Sequence, residues 1–253
     1  MIGHSGIDQK DNTMFRILEK DYANALYAAY KGFKPGTEGD GNFDSVVLHA
    51  VNDILQTHPA TGIPQLGSEQ KFNSVSKPAK STAANLQSLF TSAATPSYNV
   101  ILIGEAHDSQ ADIARANDLL AALGAHPATL TASMAVFERG LKYRTPSVDV
   151  IASVFEEFVI RPDNIPVTFP DNCPRGLSVF CAQLTESQRS MAVAGYMAAC
   201  AGAGPQGAKA NFLVFFGANH SDILTYFEKF VTQCGVPYMC KLQRNYTFVE
   251  SSV

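Results

Sequence analysis

Residues 100–110, VILIGEAHDSQ, run four apolar residues into a glycine and then set Glu105, His107 and Asp108 within four positions. A short apolar run closed by glycine is the pattern of a strand covered on both faces, as in a parallel sheet. Two further stretches have the same form. MAVFERG over 134–140 ends in Glu138, Arg139 and Gly140, and NFLVFFGANHSD over 211–222 ends in Gly217, Asn219 and His220. One such ending reads as a turn, whereas three with the same residue types read as a constellation.

Around these runs strand-like and helix-like texture alternates. Strands are expected over 99–103 and 131–137 and helices over 109–123 and 147–158. A Pro-, Asn-, Gly- and Cys-containing insertion follows at about 161–184, of the kind that covers a site. A helix over 185–200 with Thr185 as N-cap, a strand over 211–216 and a helix over 223–234 complete the pattern, the last broken by Gly235 and Pro237. Two short closing strands, 238–242 and 246–249, suggest a hairpin around 243–245. The alternation predicts an α/β fold: a mostly parallel central sheet flanked by helices, with an N-terminal helical extension. That extension, residues 1–96, reads as helices over 13–31, 43–57 and 81–94, joined by the turn-rich KPGTEGDGN and a polar loop over 67–78. It is expected to pack on an α/β catalytic-type domain spanning 97–253.

Composition narrows the function classes. A chain of 253 residues, 46% hydrophobic and 17% charged, suits one large globular domain. With Lys plus Arg at 19, Asp plus Glu at 23 and a formal charge of -4, it lacks the basic footprint of a nucleic-acid binder. No window is apolar enough for a transmembrane segment, and the N-terminal residues lack a secretory core. The expectation is a soluble protein, cytoplasmic or exported by a signal-peptide-independent route. The five cysteines show no zinc-binding spacing and read as free thiols. Cys173 and Cys181, close together in a turn-rich stretch, are the pair a disulfide would join. His4, His49, His58 and His126 are isolated and read as packing residues. GAGPQG over 202–207 precedes a strand instead of following one, so it is a loop and not a dinucleotide fingerprint. There is no P-loop, H-E-x-x-H or G-x-S-x-G motif.

In open parallel sheets ligands bind beyond the carboxyl ends of the strands. That edge is where Glu105, His107, Glu138, Arg139 and His220 are expected to meet. A histidine beside carboxylates serves as general base near neutral pH. Alternatively Glu105, His107 and His220 hold a divalent metal that activates water. Arg139 clamps an anionic substrate or stabilises charge on a developing oxyanion. The plainer alternatives are that Asp108 and Asn219 cap helices and that Arg139 pairs with a neighbouring glutamate.

IGEAHD, FERG and GANHSD, in that order and strand context, resemble the erythromycin-esterase, ChaN-like and TIKI superfamily over about 98–230. The resemblance implies a parallel α/β domain with Glu105 and His107 in the first motif, Glu138 after the second strand, and Gly217 with His220 in the late motif. It implies a hydrolase that activates water against an ester or peptide carbonyl of a small-molecule or peptide substrate. The ChaN branch implies a haem or small-ligand binding protein instead. Related domains in bacterial toxins imply a toxin or effector that binds a host protein.

Overall fold

The computed structural model describes residues 9–31, 43–59, 73–75, 99–105, 133–138, 155–159, 177, 181, 184–203, 211–236 and 243–248. The chain opens with two helices, α1 (Gln9–Lys31) and α2 (Phe43–Thr57). Strands β1 (Asn73–Val75), β2 (Asn99–Glu105), β3 (Ser133–Phe137) and β4 (Phe155–Val159) follow. Helix α3 (Glu186–Ala203), strand β5 (Asn211–Gly217), a 3₁₀ turn (Ala218–His220), helix α4 (Ile223–Gln233) and strand β6 (Gln243–Phe248) complete the order.

The six strands form one sheet in the order β1-β6-β2-β5-β3-β4, and every neighbouring pair is parallel. The chain steps along the sheet from β1 to β4 and then returns, inserting β5 between β3 and β2 and β6 between β2 and β1. Both return steps run in the same direction, so right-handed crossovers place their helices, α3 and α4, on one face. The two helices pack against each other, and α2 lies against α3.

Register explains how the sheet meets those helices. Leu102, Val214 and Val136 pair across β2, β5 and β3 as one buried row. Side chains alternate along a strand, so Phe212, Val214 and Phe216 share that face and join the core formed with α1–α4. Phe215 points to the other face and is buried too, as the consecutive apolar run requires.

Helix α3 is the hub. Its N-terminus is a capping box: Thr185 Oγ1 accepts the Gln188 N–H at 3.3 Å and Gln188 Oε1 accepts the Thr185 N–H at 3.2 Å. From Ser190 to Ala203 every residue is buried, so the helix has no polar face. Gly195 makes that possible, because a Cβ there would lie 2.3 Å from Val47 Cγ1 and 2.4 Å from Tyr22 Oη. Tyr22 donates its hydroxyl to the Ala192 carbonyl at 2.9 Å, and its ring lies against Tyr196. On α2 the buried residues Phe43, Val46, Val47, Ala50, Val51 and Ile54 recur at helical spacing and form its inner stripe. His58, just beyond α2, shares a hydrogen bond with Asp21 of α1 at 2.8 Å, and Asp44 of α2 pairs with Lys229 of α4.

Four local expectations change. The helix expected over 147–158 gives way to strand β4 over its last residues, because pairing with β3 overrides the helical spacing in FEEFV. β1 lies within the stretch expected as a loop over 67–78. The hairpin expected around 243–245 is absent, since Gln243, Arg244 and Asn245 pair in parallel with Asn99, Val100 and Ile101 as the start of a single strand. In the insertion at 161–184, Leu177, Cys181 and Leu184 are buried core residues. Their i, i+4, i+7 spacing is that of a helical face. Cys181 is a free thiol there, not a disulfide partner. The helices expected over 81–94 and 109–123 lie outside the described residues. Among the described residues no helix is long and apolar enough to cross a membrane.

Candidate functional site

The alternation that buries Val136 also buries the residue two positions on, so Glu138 falls on the sheet face covered by α3. Its backbone extends the ladder beyond β3, with the Glu138 N–H donating to the Phe215 carbonyl at 2.9 Å. The side chain is only 2% exposed. Carboxylate oxygen Oε2 accepts the Gly217 N–H at 3.0 Å and lies 3.6 Å from His220 Nε2. Oxygen Oε1 is 4.0 Å from an Arg189 guanidinium nitrogen.

His220 reaches the carboxylate because Gly217 ends β5 and the chain turns at once into the 3₁₀ turn. It is 3% exposed. Phe216 meets the ring edge-on at a centroid distance of 5.2 Å, and Nδ1 lies 2.7 Å from Ser190 Oγ in the second turn of α3. Arg189, one position earlier, is anchored by donation to the Leu184 carbonyl at 2.8 Å. Ser190, His220 and Glu138 thus form a line from helix to sheet edge, with Arg189 and the Gly217 N–H on the carboxylate. A separation of 3.6 Å is an ion-pair distance, longer than a direct hydrogen bond. In a buried setting these interactions are stronger than in water.

Three strand endings lie side by side, because β5 sits between β2 and β3 and Glu105 is in register with Gly217. The 3₁₀ turn that carries His220 touches β2. Of the residues expected at this edge, Glu138 and His220 come together. Glu105 has its backbone beside Gly217, while its side chain, His107, Asp108 and Arg139 lie outside what the structure describes. Asn219 is exposed and is not the cap of α4, which begins at Ile223 with Asp222 in the N-cap position. Ser190 and Arg189 are the additions. In the sequence they only close the polar run TESQRS over 185–190, just before MAVAGYMAACAGA, a run too apolar to face water.

His220, the one expected metal ligand whose side chain is described, turns both ring nitrogens to protein groups. Among the described residues no three His, Cys, Asp or Glu side chains are grouped to hold a metal. No family model matches the chain, and comparisons with curated proteins and with solved structures gave no match.

Proposed function

We propose that the chain is a hydrolase, built on a parallel sheet, that activates water against an ester or peptide carbonyl, with Glu138 and His220 as its acid/base pair. The observation that carries the reading is the convergence, 3.6 Å apart, of two ionisable side chains that are 2% and 3% exposed, at the carboxyl edge of neighbouring parallel strands. A carboxylate held by Gly217, His220 and Arg189 takes a proton from water as the water oxygen bonds to the carbonyl carbon and returns it to the leaving group as the ester or amide bond breaks, while the Nε2–H of His220 orients the carboxylate. Glu105 and His107, after β2, and Arg139, after Glu138, are the further groups proposed at the same edge, Arg139 to stabilise the charge on the carbonyl oxygen. The resemblance of IGEAHD, FERG and GANHSD to the erythromycin-esterase, ChaN-like and TIKI superfamily supports the reading.

The test is a hydrolysis screen of the purified chain over carboxylic esters and peptides, with bound metals measured on the same sample. His220→Gln and Glu138→Gln are expected to lose about 100-fold or more in kcat/KM. Asn219→Ala, at an exposed position, is expected to match the wild type. Full activity in both site variants, or no turnover of any ester or peptide, would overturn the proposal.

A further inference from the structure

Ser190 is fully buried, yet its hydroxyl lies 2.7 Å from His220 Nδ1, within hydrogen-bond distance. A helical serine has a local alternative, bonding a carbonyl one turn back on its own helix. Here the hydroxyl reaches a residue on the turn after β5. The other ring nitrogen faces Glu138 Oε2 at 3.6 Å. If a neutral ring carried its proton on Nδ1, the Nε2 lone pair would face a carboxylate oxygen in a buried site, which is repulsive. A proton on Nε2 turns that contact into an attraction. It leaves Nδ1 needing a donor whenever the ring is neutral, and a hydroxyl supplies one. The same hydroxyl accepts from Nδ1 when the ring is charged, because it is both donor and acceptor. A backbone carbonyl or a carboxylate at this place would serve only the charged ring or the wrong tautomer. Among the described residues, the charged and polar groups facing the ring are Glu138 from the end of β3 and Ser190 from α3, with Arg189 near the other carboxylate oxygen and Phe216 in T-shaped contact with the ring.

We propose that Ser190 is a positioning residue that holds His220 with a protonated Nε2 turned on Glu138. The inference rests on the reading of Glu138 and His220 as the reacting pair, but its physical content is separately measurable. Long-range proton–nitrogen NMR of the ¹⁵N-labelled full chain, with His220 assigned by its loss in His220→Gln, reads the tautomer directly. The expected wild-type spectrum has Nε2 protonated. In Ser190→Ala the Nδ1 resonance is expected to move, with kcat reduced about tenfold, KM unchanged, and both recovered in Ser190→Thr. A wild-type His220 protonated on Nδ1 alone would overturn the proposal, as would a Ser190→Ala spectrum identical to the wild type. If the Nδ1 resonance moves while Glu138→Gln retains full hydrolysis, the positioning stands and the hydrolase reading falls.

Discussion

At the end of β3 the two-residue period carries a carboxylate into a face otherwise built from Val136, Val214 and Phe216. The Gly217 N–H donates to it, and His220 and Arg189 lie at ion-pair distance. Glu138→Ala is expected to lower the unfolding free energy by about 1–3 kcal/mol, because it takes from the Gly217 N–H its acceptor and removes the carboxylate that faces His220. Glu138→Gln keeps an acceptor for the Gly217 N–H and is expected to lose less. Urea titration separates the two, and an alanine variant as stable as the wild type would remove this account of the carboxylate. The thiols make a second residue-scale case. Burial pushes the Cys234 thiol up to about 11 and holds Cys181 well above its ordinary value. Site-mapped alkylation at pH 8 should leave Cys181 and the buried Cys200 unmodified and label Cys234 slowly, whereas unfolded chain reacts at every site. Glu138 and His220 were legible in the sequence because each follows an apolar strand. Ser190 was not, since one serine in a helix gives no sign of which strand end it will meet.

Among the elements, two glycines test different physics. Gly195 lets α3 approach α1 and α2, and an added Cβ would collide with Val47 and Tyr22. Gly195→Ala is therefore expected to cost about 1–3 kcal/mol through overpacking, measurable as a lower urea midpoint. Gly235 has open space around it but a φ of +57°, as the Schellman motif after α4 requires: the Val236 N–H donates to the Val231 carbonyl at 3.1 Å and the Gly235 N–H to the Thr232 carbonyl at 3.3 Å. Gly235→Ala is expected to cost about 1–2 kcal/mol through backbone strain alone. Helix α2 was readable in the sequence because its stripe repeats for the whole element, and Phe43–Thr57 is where the spacing put it. β4 and β6 were not, because FEEFV also suits a helix and QRN also suits a turn. Only pairing with β3 and β2 decides them, and that pairing is non-local.

On the scale of the whole molecule, burial raises the pKa of several groups together: Cys181, Cys234 and Tyr22, whose hydroxyl is held well above its ordinary value by desolvation. The folded chain binds these protons more tightly than the unfolded one. For Cys234 that stabilisation is complete below the ordinary value of 9.0 and is lost as pH rises through about 11. Urea midpoints should accordingly fall between pH 9 and 11, and a flat profile across that window would contradict the burial of these groups. The central claim, that a buried carboxylate and histidine at the sheet edge perform hydrolysis, is most directly tested at Glu138. The measurement is kcat/KM of Glu138→Gln against wild type on the best ester or peptide substrate, with folding checked by circular dichroism. The account predicts a loss of about 100-fold or more in a folded variant. An unchanged kcat/KM in a folded variant would contradict it.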